Sequence, residues 1–244
     1  MTTLFISDLH LQPSQPELLR ASLHWLDTAT RGVDTLYILG DLFEAWIGDD
    51  DDAPWLDEFA AVLQRLADSG TSIYFMHGNR DFLLGNAFAE RCGMKLLPES
   101  TVIDLYGHRT LLMHGDTLCT EDQEYMVFRA QVRNPQWQQM ILSQPLEQRR
   151  ALAAMLREKS KMAGSNKTED IMDVTPDEVT RVLQEANVDR LIHGHTHRPA
   201  RHSLTVSGKP AERIVLGDWD MQRGGWVIRA EADGSIELEN FPLK

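Results

Sequence analysis

Five short apolar runs in this chain end on the same kind of residue. "TLFIS" (3–7) leads into Asp8 and His10, and "TLYIL" (35–39) into Gly40 and Asp41. "SIYFM" (72–76) leads into Gly78 and Asn79, "TLLM" (110–113) into His114, and "RLIH" (190–193) into Gly194, His195 and His197. Brief apolar runs that stop at polar or glycine-rich loops read as buried strands. Residues 16–30, 55–69 and 82–91, lying between them, carry apolar positions at helical spacing. Strand–helix alternation predicts a layered α/β fold. In open sheets of that kind ligands bind in the crevice outside the carboxyl ends of the strands. Asp8, His10, Asp41, Asn79, His114, His195 and His197 would all reach that one edge.

Carboxylate, imidazole and amide oxygen, with no thiolate, suit two hard-to-borderline divalent ions. Asp8 and His10, two apart on an extended segment, are expected to point the same way, as are His195 and His197. Asp41, following Gly40, is the candidate to bridge the ions. The glycines at 40, 78, 115 and 194 allow close backbone approach. Taken singly, each member has a bland reading: a histidine after a strand is usually a satisfied core residue, and Asp8 alone a turn residue. Five such strand ends in order are hard to explain by packing. Manganese, zinc, iron and cobalt all accept this donor set.

Toward the C-terminus the pattern changes to strands with turn signals, "SLTVSGKPAERIVL" and "GGWVIRAEADGSIELENF". They are expected to form a second, antiparallel-rich sheet. Residues 122–163 interrupt the rhythm with a long helical stretch ending near Gly164, read as a helical lid inserted into a single domain spanning 1–244. "TPDE" (175–178) reads as a capping box. The acidic run 49–52 is expected to be a solvated turn, and Trp46 to pack under the loop after the second strand. The expected architecture is therefore an α/β sandwich of two mixed sheets flanked by helices, with the lid above.

The net charge of −13 over 244 residues argues against a nucleic-acid binder, which shows a basic footprint. Two cysteines, Cys92 and Cys119, without framework spacing point to a reduced, cytoplasmic protein. "MTTLFISDLHL" lacks a basic n-region and so is not expected to be a signal peptide. No window reaches the ~18–20 apolar residues that span a bilayer.

The order D-x-H, GD, GN, HGD and GHTH resembles the calcineurin-like metallophosphoesterase superfamily, over nearly the whole chain. More narrowly, "LYILGDLFEAWIGDDD", "HGNRDFLLG", "LMHGDTLC" and "LIHGHTHRP" resemble its UDP-2,3-diacylglucosamine hydrolase family of lipid A biosynthesis. That resemblance implies cleavage of a lipid-linked UDP-sugar to UMP and 2,3-diacylglucosamine 1-phosphate (lipid X), usually with manganese. It implies Asp8, His10, Asp41 and His197 for one ion, and Asp41, Asn79, His114 and His195 for the other. It further implies substrate contacts from Asn79, Arg80, Asp122, Ser160, Lys167 and His195. Relatives tend to carry a polar side chain where this chain has Gly164.

Two metal ions would activate water for in-line attack on the nucleoside-side phosphorus, with charge on the phosphoryl oxygens met by the ions, His195 and Arg80. Arg80 is informative because it cannot give up its proton. An alkoxide leaving group needs a proton, whereas a departing phosphate, with a second pKa near 6, does not. Arginine at this position therefore favours pyrophosphate cleavage over ester cleavage. The bland alternative is a surface pair with Asp81.

Within residues 149–168 stand Arg149, Arg150, Arg157, Lys159, Lys161 and Lys167 against the single acid Glu158, next to apolar Trp137, Met140, Ile141, Leu142 and Leu146. Such a lid could hold acyl chains and set a basic face against phospholipid headgroups of the inner membrane. A monomer, peripherally attached on the cytoplasmic side, is expected. The rival readings are a soluble nucleotide pyrophosphatase or phosphodiesterase, and a metal-site scaffold without turnover.

Overall fold

A computed structural model describes residues 1–165, 171 and 173–244. In chain order its strands are β1 (Thr2–Ile6), β2 (Thr35–Ile38), β3 (Ser72–Met76), β4 (Met94–Leu97), β5 (Ser100–Leu105), β6 (His108–Met113), β7 (Arg190–His193), β8 (Ala200–Val206), β9 (Lys209–Val215), β10 (Gly225–Glu231) and β11 (Ile236–Phe241). One sheet runs β11-β10-β1-β2-β3-β4 and the other β5-β6-β7-β9-β8. The β1–β4 strands pair in parallel, as do β6, β7 and β9, and the remaining pairings are antiparallel. Both sheets are mixed, as expected.

Period-two alternation sets the layers. On β1, Leu4 and Ile6 face helices α1 (Pro16–Thr28) and α2 (Trp55–Asp68), while Phe5 turns into the space between the sheets. There it meets Leu112, Ile192, Ile214 and Ile228, all fully buried. A third cluster seats α7 (Pro176–Ala186) on the second sheet through Val179, Val182 and Leu183. The order is helix, sheet, sheet, helix. Truncating a residue such as Phe5 to alanine would remove about 3–5 kcal/mol.

The C-terminal strands divide between the sheets instead of forming one of their own. β8 and β9 join the second sheet, but β10 and β11 extend the first beside β1. β10 is apolar on both faces, sending Val227 to the helix side and Ile228 and Ala230 to the inter-sheet side, which is what a strand covered on both faces requires.

Two expectations about local structure are corrected and a third is extended. The helix expected over 82–91 begins only at Asn86 (α3, Asn86–Arg91), because Asp81 turns back to accept from the amides of Gly78 and Leu42. The acidic run is a turn with Asp50 and Asp52 largely exposed, as expected, but its carboxylates are engaged and not merely solvated. Asp49 accepts from the amides of Gly85 and Phe88 at the start of α3, Asp50 holds Arg149, and Asp51 and Asp52 hold Arg150. The "TPDE" capping box is not made. Thr175 precedes α7, but its hydroxyl accepts from Thr120, and Glu178 pairs with Arg181.

Residues 123–165 form α4 (Gln123–Val132), α5 (Pro135–Leu142) and α6 (Leu146–Ser165), so Gly164 lies inside the last helix and does not end it. Among the described residues no helix is long and apolar enough to cross a membrane. Cys92 and Cys119 are buried thiols, pushed up to about 12 by burial.

Candidate active site

All five strand ends deliver their residues to one edge, though not by strand alternation. Asp8, His10, Asp41, His195 and His197 have φ of 58°, 50°, 51°, 68° and 55°. Five of the seven candidate ligands thus sit in left-handed backbone. Such positions are sparse for residues other than glycine and cost about 1–3 kcal/mol each where the surroundings hold them. Asp8 and His10 share a direction because each is turned at its own bend, while Leu9 between them is fully buried in the core. The bends pack loop on loop. A Cβ on Gly194 would stand 2.2 Å from Ser7 Oγ, and one on Gly78 would stand 2.1 Å from Asp41 Oδ1.

The polar atoms converge as two groups, Asp8–His10–His197 and Asp41–His114–His195. In the first, Asp8 Oδ2 accepts from Ser7 Oγ (2.6 Å) and the His195 amide (2.9 Å), which leaves Oδ1 buried without a hydrogen bond. That oxygen lies 3.4 Å from His197 Nε2 and 3.9 Å from His10 Nε2, and the two ring nitrogens are 3.2 Å apart. In the second, Asn79 Oδ1 lies 3.0 Å from His114 Nε2 and 2.9 Å from His195 Nδ1. Asp41 stands between, with Oδ2 3.9 Å from His10 Nε2 and Oδ1 3.7 Å from His114 Nε2. Buried acceptors aimed at a common point, one of them orphaned, fit a pair of divalent ions.

Electrostatics agree with that fit. Burial alone would raise Asp8, but the imidazole of His197 at 3.4 Å, with the charges of His114 and His10, carries it far below the carboxylate range. Burial and the charge of His114 bring His195 down to about 4, so its imidazole is neutral at pH 7. Asp81, buried beside Asp41, rises to about 6.

Arg80 does not pair with Asp81, whose oxygens are taken by backbone amides. Its own amide donates to Asp41 Oδ1 (2.9 Å), its Nη1 donates to Ser160 Oγ (3.3 Å), and its buried Nε has no hydrogen-bond partner. Beside the two groups opens a cavity of about 990 Å³ whose lining includes Asn79, Arg80, Asp122, Ser160 and His195. Asp122 also caps α4 by accepting from the Tyr125 amide. Lys167 lies outside the described residues. Trp46, as expected, is packed, its ring tilted against Phe88 and Phe43 with centroids 4.4 Å and 4.7 Å away, and it also lines the cavity. The apolar part of the wall comes from both sides, with half-buried Phe82 from the loop after β3 and Phe128, Ile141, Leu152 and Leu156 from the three helices.

Sequence reasoning missed the residues that brace this site. Glu44 lies 3.1 Å from His10 Nδ1 and accepts from Arg157. Although burial would raise it, these two partners bring it to about 2. Asp218 lies 3.7 Å from His197 Nδ1. Asp116 accepts from Tyr125 Oη (2.5 Å) and Arg129 Nε (2.7 Å) under the second group. Glu44 sits three residues after Asp41 in the quoted "GDLFE" block, and that proximity was the available signal.

Residues 1–199 match the model of the calcineurin-like phosphoesterase family. The chain is 59% identical over 243 residues to the UDP-2,3-diacylglucosamine hydrolase of Cellvibrio japonicus, covering 100% of both. It is 54% identical to the protein of that name from Marinobacter nauticus (100% of this chain, 99% of the relative). It is 53% identical to the one from Chromohalobacter salexigens, with the same coverage. On these matches the chain belongs to the calcineurin-like phosphoesterases, among the relatives named UDP-2,3-diacylglucosamine hydrolase.

Proposed function

We propose that the protein hydrolyses the pyrophosphate of UDP-2,3-diacylglucosamine to UMP and 2,3-diacylglucosamine 1-phosphate, a step of lipid A biosynthesis. The observation that carries this reading is the junction of two ligand groups with a largely apolar cavity of about 990 Å³, a volume at the upper end of small-molecule sites. A soluble nucleotide gives the apolar wall nothing to cover. The relatives' shared name supports the same substrate.

Asp8, His10, His197 and Asp41 would hold one divalent ion, and Asp41, Asn79, His114 and His195 the other, manganese being the favoured metal. Bound there, such ions lower the pKa of water from 15.7 toward about 7 and neutralise phosphoryl oxygens. The chain supplies the remainder. His195, neutral at pH 7, keeps a ring nitrogen available at the site. Arg80 offers an unpartnered Nε and a cationic fork to the departing sugar phosphate, which needs charge and no proton. Ser160 and Asp122, with Lys167, are the remaining proposed substrate contacts, and the α4–α6 helices serve as a lid over the acyl chains. The protein works as a monomer on the cytoplasmic face of the inner membrane, touching it through that lid.

UMP release from UDP-2,3-diacylglucosamine and from its deacylated analogue, with manganese, tests the reading. Rapid release from the first and at least tenfold slower release from the second is expected. Equal rates would overturn acyl recognition, and no UMP from either would overturn the activity.

A further inference from the structure

The carboxylate of Glu44 is divided between two partners on different parts of the fold. Oε1 accepts from Arg157 through Nε (2.7 Å) and Nη2, and Arg157 belongs to α6. Oε2 lies 3.1 Å from His10 Nδ1, somewhat off the hydrogen-bond line. The other nitrogen of that imidazole, Nε2, is the one that faces Asp8 and His197. Glu44 is itself fixed at the backbone, its amide donating to Leu11 O in the stretch where the His10 and Asp41 loops run side by side. The outer nitrogen of His197 has a comparable neighbour in Asp218, but Asp218 is held by Arg223 from the body of the protein. Of these two outer carboxylates, Glu44 is the one that α6 holds among the described residues.

Carboxylates behind a ligating histidine set its tautomer and orientation, and removing one typically costs 10–100-fold in metal affinity. We infer that Glu44 is a positioning residue that couples the seating of α6 to divalent-ion binding at the Asp8–His10–His197 group. Arg157 holds the carboxylate in place, the carboxylate holds His10, and by linkage an ion on His10 favours the docked helix as strongly as the docked helix favours the ion. This rests on the metal-binding reading of that group.

Charge and positioning make opposite statements about Arg157. If its guanidinium acted only as a nearby positive charge, removing it would tighten cation binding. If it holds Glu44, removing it weakens binding. Manganese titrations of the full-length protein followed by electron paramagnetic resonance read this directly, without turnover. Wild type is expected to bind two ions. Glu44→Ala should weaken one of them by about 10–100-fold, and Arg157→Ala should weaken the same one several-fold, with Arg157→Lys between it and wild type. Unchanged or tighter binding by Arg157→Ala overturns the coupling. So does Glu44→Ala binding both ions as wild type does.

Hydrogen exchange on the unmodified protein gives a second test that no variant can spoil by misfolding. Manganese should slow exchange across 150–160 in wild type, and lose that effect in Glu44→Ala. Exchange there that is indifferent to manganese in wild type overturns the coupling. A His10→Ala variant that still binds two ions as wild type does would overturn the metal reading itself, a result distinct from failure of the coupling alone.

Discussion

Arg80 is mostly buried, and its charge has a weak counterweight: Asp41 Oδ2 stands 3.9 Å from Nε, and the Ser160 hydroxyl is its hydrogen-bond partner. Burial lowers its pKa, with Asp41 opposing, yet an arginine remains a cation throughout the working range. A fixed cation suits a departing phosphate better than a departing alkoxide, so its value should depend on the leaving group. Arg80→Ala is expected to lower kcat on UDP-2,3-diacylglucosamine by about 10²–10³-fold, the loss typical of a charge-stabilising donor. The loss on an aryl phosphodiester should be at least tenfold smaller, and Arg80→His should retain more of the diester activity than of the pyrophosphate activity. Parallel losses on both substrates would sink the leaving-group argument. At this scale the sequence showed which residues gather but not how they are held. Asp8 and His10 were legible because strand ends meet at one edge of an α/β sheet. Their left-handed backbone was not, because the conformation is imposed by loops packed from elsewhere, such as Gly194 pressed against Ser7 and Asp8.

The α4–α6 helices attach to the rest of the protein by arginines more than by apolar packing. Val132 and Ile141 are their only buried apolar residues among those described. Against that stand Arg129 on Asp116, Arg133 on the Gly78 carbonyl (2.8 Å), Arg149 on Asp50 and the Ile47 carbonyl (2.6 Å), Arg150 on Asp51 and Asp52, and Arg157 on Glu44. Arg149 is the most enclosed of these at 4% exposure. Arg149→Ala leaves the carbonyl of buried Ile47 without its partner, at a cost of about 1–3 kcal/mol, and frees the largely exposed Asp50. That cost should appear as local opening. Hydrogen exchange should quicken across 146–160 while β1–β3 stay protected, and the KM for the acylated substrate should rise more than that for its deacylated analogue. Uniform loss of protection through the sheets would place Arg149 in the global core instead. Helicity in this stretch could be read from spacing, but the role of its arginines could not. Their partners lie about a hundred residues away in an acidic run that, taken alone, looks like a solvated turn.

On the whole molecule, this pairing changes what the charge distribution implies for membrane contact. A protein of net charge −13 is repelled by an anionic surface unless a local basic patch offsets the rest. Three of the six cations that suggested such a patch, Arg149, Arg150 and Arg157, are spent on Asp50, Asp51, Asp52 and Glu44, and Lys161 lies 3.6 Å from Glu158. Helices α4–α6 also present large apolar side chains to solvent: Val127, Met140, Met155 and Met162 are 71%, 51%, 59% and 64% exposed. Most of the large exposed apolar side chains in the described residues fall on these three helices, which also wall the cavity. Association with lipid should therefore depend on burial of apolar surface, worth roughly 25 cal/mol per Å², and little on counter-charge. Co-sedimentation with vesicles of mixed zwitterionic and anionic phospholipid is expected to change less than twofold between 50 and 500 mM salt, about 14 Å to 4 Å in Debye length. The pair Met155→Gln and Met162→Gln should reduce it severalfold while leaving hydrolysis of a detergent-dispersed substrate near wild type. Binding that collapses with salt and survives the double substitution would return the contact to the lysines.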